Sequence, residues 1–224
     1  NANLLGIVSL FVLITFGVLF AARARWRTTL ALWMLLAAYF LFRTASATAL
    51  ACAGAAAVVL FVALAMRRAS SPGARTRVYV VAIGSTVAVA LAVWLLREPL
   101  LGLLGRSADL TGRSTKIWAA VWERVREHPF FGNGFSSPWV PTDPAFDGWI
   151  VDHGITVFHA HNMWLDVLLQ LGVLGLLLMA LAYGSLLWRS WFFAVDRPRW
   201  DLDARRPYSP LTLLPSLFTI VLLV

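Results

Sequence analysis

The clearest indication of the fold is the apolar run at residues 28–66, TTLALWMLLAAYFLFRTASATALACAGAAAVVLFVALAM. Its only charged side chain is Arg43. A membrane-spanning helix needs about 20 mostly apolar residues, so this run is too long for one such helix and about right for two. We therefore predict two membrane helices joined by a tight turn at residues 43–46.

Further apolar runs flank this pair, at residues 4–22, 78–96, 163–188 and 211–224. The last run reaches only about 21 Å at 1.5 Å per residue, whereas the hydrocarbon core is roughly 30 Å thick. Because the chain also begins with Asn1 rather than Met, we expect a fragment of a larger protein. The predicted fold class is an all-α polytopic membrane protein with about six transmembrane helices, the last one truncated.

Composition supports a membrane protein and sets other classes aside. Hydrophobic residues make up 60% of the chain and charged residues 13%, with a mean hydropathy of +0.75, which is unlike a water-soluble domain. The net charge of +8 is interpreted as an orientation signal, so no nucleic-acid partner is expected. The single cysteine, Cys52, excludes an internal disulfide and a cysteine-based zinc site.

The basic residues predict the orientation of the chain. By the positive-inside rule, the face that carries three arginine clusters is cytoplasmic, which leaves Arg43 and one large loop outside. The clusters are Arg23, Arg25 and Arg27; Arg67, Arg68, Arg75 and Arg77; and Arg189, Arg197, Arg199, Arg205 and Arg206. The predicted organisation is four helices in 1–96, the extracytoplasmic loop in 97–162, a fifth helix in 163–188, a basic cytoplasmic loop in 189–210 and a partial sixth helix in 211–224.

The large loop is predicted to be ordered because it is rich in tryptophan and phenylalanine. It contains one amphipathic helix, for which we predict Ser114 as N-cap and His128-Pro129 as the end. We expect this helix to lie flat on the outer membrane interface. Its apolar face consists of Ile117, Trp118, Val121, Trp122 and Val125.

Charged groups of this loop are candidate ligands. Arg113 and Lys116 lie beside the start of the predicted helix, where unpaired N–H groups and the macrodipole favour an anion and the Arg fork suits phosphate. Contact with lipid headgroups or a nearby acid is the simpler interpretation of this pair. Three acids fit no calcium-binding spacing, so no metal site is expected there: Asp143, Asp147 and Asp152.

His159, His161 and Asn162 lie at the outer end of the fifth helix. The His161 imidazole can take a proton near neutral pH, and Asn162 can orient it. The alternative interpretation is a histidine that anchors a helix end at the interface. Because the histidine spacing matches no metal motif, we expect neither a metal nor a cofactor.

The predicted topology brings distant residues to one side of the membrane. Arg43, Arg113 and His161 all fall on the outer face, where two cations and one base could converge. Such a set suits a reaction in which arginines hold an anionic, phosphate-bearing leaving group while a base deprotonates a hydroxyl nucleophile.

Four motifs follow one another in a specific order. They are Thr111-Gly112-Arg113-Ser114-Thr115-Lys116-Ile117-Trp118, His128-Pro129-Phe130-Phe131-Gly132-Asn133-Gly134, His159-Ala160-His161-Asn162-Met163-Trp164-Leu165-Asp166 and Gly172-Val173-Leu174-Gly175. In this order they resemble the O-antigen ligase and Wzy-type polysaccharide polymerase family. The resemblance covers roughly residues 30–187.

The resemblance implies a GT-C-like membrane glycosyltransferase whose extracytoplasmic loop carries the active site. The donor would be a glycan on undecaprenyl diphosphate, transferred without a metal to a hydroxyl of a glycan, lipid or protein acceptor. By this resemblance Arg113 is the diphosphate ligand and His161 the general base. His159 is a second candidate base, and Asn162 supports the base.

Two further cations belong to the implied diphosphate site. Arg43 partly matches an arginine that the family carries near the start of an earlier span, although residues 46–50 match the same motif as well. Lys116 adjoins Arg113. Family members usually have more spans than this chain, so the donor groove is expected to be incomplete here.

The sequence leaves other functions open. A transporter or flippase fragment for lipid-linked sugars would need ionisable residues along its spans. The expected truncation of the chain suggests an inactive membrane remnant as a further alternative. Ligase and polymerase activity are not distinguished. The expected location is the bacterial cytoplasmic (inner) membrane, with the active face outside.

Overall fold

The structure is a computed structural model that describes residues 2–22, 25–96, 99, 117–135, 139, 159–196 and 208–223. Regular structure in these ranges is entirely helical, which confirms the predicted all-α class. The helices are α1 (Ala2–Ala21), α2 (Arg27–Arg43), α3 (Ala47–Arg68), α4 (Pro72–Leu95), α5 (Trp118–Glu127), α6 (Met163–Val195), a 3₁₀ turn (Pro210–Leu213) and α7 (Leu214–Leu223).

Four helices in the described part of the chain are long and apolar enough to cross a membrane. These are α1, α3, α4 and α6. The α2 helix has 17 residues, and Pro210–Leu223 forms a shorter apolar segment. A multi-pass membrane protein is therefore supported, with four full-length candidate spans in the described residues. The predicted total of about six spans, the last one truncated, stays a prediction.

The predicted turn between the second and third helices is confirmed. The α2 helix ends at Arg43 and α3 begins at Ala47. The Ser46 hydroxyl accepts a hydrogen bond from the Ala49 N–H at 3.2 Å and caps α3. Ala45 takes a positive φ of 46°, so the chain reverses within three residues.

The ends of two helices differ from the prediction. The α4 helix begins at Pro72 rather than at residue 78, since the Ser71 hydroxyl accepts the Ala74 N–H at 3.2 Å and Pro is favoured in a first turn. The α6 helix continues past residue 188 to Val195. Part of the predicted basic loop is therefore helical.

The chain divides into two compact units, Asn1–Val87 with Tyr183–Val224, and Ala88–Ala182. In the first unit α1 packs against α2 and α3, and α3 packs against α7. A Cβ atom at Gly6 would lie 2.7 Å from the Ala49 Cβ, so a glycine permits the close approach of α1 and α3. Cys52 is fully buried in this core.

Arg67 connects three segments of the first unit. Its Nε donates to the Ala194 carbonyl oxygen at 2.7 Å, and its two terminal nitrogens donate to the Ser209 carbonyl oxygen at 3.3 Å and the Thr212 hydroxyl at 2.6 Å. The guanidinium carbon lies 5.0 Å from the centre of the Tyr208 ring. This arginine therefore joins the end of α3 to the end of α6 and to the 3₁₀ turn.

In the second unit, α5 packs against the first turns of α6. Val121 and Val125 are buried with Leu165, Leu168 and Leu169. The predicted apolar face and the predicted end of the helix at Glu127 are confirmed, while the predicted N-cap Ser114 lies outside the described residues. Protein side chains cover Ile117, Val121 and Val125, whereas Trp122 on the same predicted face is 48% exposed. The position of this helix at the outer membrane interface stays a prediction.

Candidate active site

The α6 helix is interrupted at Gly172, whose φ of 65° and ψ of −167° are not helical. Residues 128–135, here called the 128–135 loop, fill the interruption. The Val173 N–H donates to the Pro129 carbonyl oxygen at 2.8 Å, and the Leu174 N–H donates to the Phe130 carbonyl oxygen at 3.2 Å. The loop thus accepts the N–H groups that a helix beginning after the interruption cannot pair internally.

The same loop also pairs the carbonyl groups on the other side of the interruption. The Asn133 N–H donates to the Leu169 carbonyl oxygen at 3.0 Å, and the Gly134 N–H donates to the Gln170 carbonyl oxygen at 2.9 Å. The Asn133 side chain adds bonds to the carbonyl oxygens of Leu169 and of Arg124 in α5, at 3.1 and 3.3 Å. Loop, α5 and α6 are therefore held together mainly through backbone groups.

Two glycines permit this docking. Gly132 and Gly172 both have positive φ angles, 72° and 65°. A Cβ atom at Gly132 would overlap the backbone of Gln170 and Leu171, and a Cβ atom at Gly172 would overlap the backbone of Phe130. The glycine motifs on the two segments are thus two halves of one backbone junction.

The predicted histidines lie together at the start of α6. His161 has a φ of 55°, a left-handed conformation that costs a residue with a side chain roughly 1–2 kcal/mol. The His161 N–H donates to Nδ1 of His159 at 3.1 Å. The two rings lie edge to face with centroids 4.1 Å apart, and both residues are exposed.

Asn162 caps α6. Its side-chain oxygen accepts the Leu165 N–H at 3.1 Å, and its carbonyl oxygen accepts the Asp166 N–H at 2.9 Å. Asn is among the favoured N-cap residues because its oxygen pairs an N–H of the first turn. This cap fixes where the helix begins, at Met163, two residues after His161.

The residue before His161 is held from two sides. The Trp118 indole N–H donates to the Ala160 carbonyl oxygen at 3.0 Å. The Asp166 carboxylate accepts the Ala160 N–H at 3.4 Å and the Trp139 indole N–H at 2.8 Å. Ala160 and Trp139 are buried.

The sequence predictions did not include these contacts. The sequence places Trp118 on the apolar face of the predicted amphipathic helix and Asp166 at the end of the third motif, and gives neither a partner. A signal was present, because a carboxylate in the first turn of an apolar helix needs hydrogen-bond partners. Trp139 lies 27 residues before Asp166, and Trp118 lies 42 residues before Ala160. No spacing rule links residues so far apart.

The remaining predicted site residues lie either outside the described residues or away from the histidines in the sequence. Arg113 and Lys116 lie outside the described residues, as do Asp143, Asp147 and Asp152. Arg43 is the exposed last residue of α2, in the first unit. Of the predicted set, the structure therefore brings together His159, His161 and Asn162.

Comparison with known families decides what this chain is. A family model described as O-antigen ligase matches residues 32–180, more than half of the chain. The chain belongs to the O-antigen ligase family. Searches of curated proteins and of solved structures found no match.

Membership in the O-antigen ligase family indicates a glycosyltransferase-like membrane enzyme that processes glycans. It implies a lipid-linked glycan and an acceptor as partners in general terms. Together with the four apolar helices, it indicates a multi-pass protein of the bacterial inner membrane. In this O-antigen ligase chain, the matched range contains both the 128–135 loop and the paired histidines.

Proposed function

We propose that this protein transfers a glycan from an undecaprenyl-diphosphate donor to a hydroxyl group of an acceptor in cell-surface polysaccharide synthesis. The reaction takes place on the extracytoplasmic face and needs no metal. The observation that carries the proposal is His161, an exposed imidazole held in a left-handed conformation at the start of α6. Strained residues of this kind are concentrated at functional sites.

In the proposed reaction His161 is the general base. It removes the proton from the acceptor hydroxyl as that oxygen attacks the anomeric carbon of the donor glycan. A new glycosidic bond forms, the bond from the anomeric carbon to the diphosphate breaks, and undecaprenyl diphosphate leaves with the electron pair. Arg113, with Lys116 and Arg43, neutralises the charge that develops on the diphosphate.

The contacts around the two histidines favour His161 over His159 as the base. Nδ1 of His159 accepts the His161 N–H, so this nitrogen is already used in positioning the backbone. His159 remains the second candidate through its other ring nitrogen. Asn162 supports the base by capping α6, which begins at Met163, directly after Asn162.

The test uses cells that carry the intact gene. Surface polysaccharide is separated by gel, and lipid-linked donor is measured, for His161→Ala and Arg113→Ala at matched membrane levels. We expect loss of long polymer or of glycan on its acceptor, with accumulation of donor, because each variant removes one chemical role. A catalytic group of this kind contributes roughly 10²- to 10⁴-fold to the rate.

The matched control is Arg126→Ala, which removes an exposed arginine of α5. It should leave polymer length unchanged. Normal polymer in both site variants would overturn the proposed active site and favour a lipid-linked sugar flippase or an inactive remnant.

A further inference from the structure

We propose that Asp166 is a positioning residue that fixes the backbone of His161 for catalysis. The proposal rests on the function proposed above, because it assigns a role through the candidate base. Asp166 ends the third motif and lies within the matched range, but neither the motif nor the family match gives it a role. Support for the proposal comes from the hydrogen bonds of one buried residue, Ala160.

The first step of the argument is the peptide plane that precedes His161. The Ala160 carbonyl and the His161 N–H belong to one rigid peptide unit. The carbonyl oxygen accepts from Trp118, and the N–H donates to Nδ1 of His159. Both polar groups of this plane are therefore fixed, so the φ angle of His161 sets the direction in which its side chain leaves the backbone.

The second step concerns the peptide plane between His159 and Ala160. The Ala160 N–H donates to the Asp166 carboxylate at 3.4 Å, and the same oxygen accepts the Trp139 indole N–H at 2.8 Å. With Asp166 in place, Ala160 is held at its N–H and at its carbonyl, on both sides of its Cα atom. The left-handed conformation of His161 is thus over-determined by its surroundings, as persistent backbone strain requires.

The third step is the reason why position 166 carries a carboxylate. Ala160 is fully buried and Trp139 is 6% exposed, so their N–H groups depend on a protein acceptor. An apolar side chain at position 166 would remove the oxygen that accepts both of these N–H groups, which is costly in a buried, largely apolar cluster. A carboxamide has the same shape and keeps an oxygen acceptor, which makes Asn the conservative variant.

The test measures kcat and KM of the purified full-length protein in liposomes, with undecaprenyl-diphosphate-linked glycan extracted from the same cells as donor. Asp166→Leu should lower kcat about 10- to 100-fold with KM for the donor changed less than about threefold, because small displacements of a catalytic group cost this much. Asp166→Asn should restore most of the activity. Trp118→Phe, which removes the bond to the Ala160 carbonyl, should also lower kcat.

The matched control is Leu168→Ala, which opens the same buried cluster on the same helix without touching a polar group of Ala160. Equal kcat in Leu168→Ala and Asp166→Leu at equal loss of thermal stability would overturn the positioning role. If Asp166→Leu does not fold, Trp118→Phe decides, and its unchanged kcat overturns the proposal.

Failure of this proposal is distinguishable from failure of the proposed function. An active His161→Ala enzyme would contradict the function itself. An inactive His161→Ala enzyme together with fully active Asp166→Leu and Trp118→Phe enzymes would contradict only the positioning role. The pH profile of kcat should keep its shape in Asp166→Asn, because the base is unchanged.

Discussion

Gly172 carries a constraint that no other residue type satisfies. Its φ of 65° lies in the left-handed region, and a Cβ atom there would overlap the Phe130 backbone. Backbone atoms of a docked loop cannot move aside as a flexible side chain can. The requirement for glycine is therefore steric as well as conformational.

Gly172→Ala is accordingly expected to be strongly destabilising. The left-handed conformation alone costs roughly 1–2 kcal/mol with a Cβ atom, and displacement of the 128–135 loop adds to that. Thermal unfolding in detergent measures the effect. The control is Gly184→Ala in the same helix, where a Cβ atom meets nothing within 4 Å and the change should stabilise the helix by about 0.5–1 kcal/mol.

Equal melting temperatures for these two variants would contradict the docked loop. A lower value for Gly172→Ala alone would support it.

At the residue scale the sequence identified side chains but not their partners. The sequence points to His161 and Asn162 because an imidazole can act as a base and a carboxamide can orient it. Trp118 and Asp166 were missed in this role because their contacts join residues far apart in the sequence. A spacing rule describes residues within one element. The contacts around Ala160 join three segments, namely α5, the residue Trp139 and the start of α6.

At the scale of elements, the first unit depends on the end of α3. Arg67 makes three hydrogen bonds to groups outside its own helix. Two of the acceptors are carbonyl oxygens near the end of α6 and before the 3₁₀ turn. A planar fork with several donors can serve these acceptors together, and an ammonium group cannot match that geometry.

Arg67→Lys should therefore lower stability although the charge is kept. We expect a loss of about 2 kcal/mol, since hydrogen bonds from a charged donor contribute roughly 1.5–3 kcal/mol. The exposed neighbour provides the control, because Arg68→Lys should change little. Thermal unfolding in detergent measures both, and equal shifts would refute the connecting role of Arg67.

Element types were predictable because apolar runs and turn residues encode them locally. The turn at residues 43–46 and the end of α5 at Glu127 were predicted correctly. Helix starts were less accurate, since a single hydroxyl such as that of Ser71 can move the start of a helix by a turn or more. The packing of α5 against the first turns of α6 was not predictable, because periodicity indicates which face of a helix is apolar but not which side chains cover it.

At the scale of the whole molecule, the orientation remains a prediction from the arginine distribution. Basic residues near the ends of spans are retained on the cytoplasmic side during insertion. The 128–135 loop is therefore expected outside, and the connection between α3 and α4 inside. The two sites offer exposed residues for labelling, Phe131 and Ser70.

Cysteine accessibility tests this orientation. In a background of Cys52→Ala, a membrane-impermeant maleimide should label Phe131→Cys in intact spheroplasts, because that site faces the medium. Ser70→Cys should be labelled only after permeabilisation. The reverse pattern would invert the topology and place the candidate base on the wrong side for an extracytoplasmic donor.

Composition was sufficient to predict a helical membrane protein, because few other folds tolerate so much apolar surface. The pairing of the 128–135 loop with α6 could not be predicted in the same way. Its hydrogen bonds run between backbone groups, which every residue carries. The residues that mark the junction are Gly132, Asn133, Gly134 and Gly172, and glycine and asparagine have many other uses in loops.

The interruption at Gly172 also has a consequence for the order of biosynthesis. Asn133 precedes its partner Leu169 by 36 residues, so the loop leaves the ribosome well before the backbone groups that receive it. Until α6 has been translated, the N–H and carbonyl groups of the loop lack their hydrogen-bond partners in that helix. The junction therefore forms as a late event in translation, and a chain that stalls before Gly172 exposes an undocked segment to proteases.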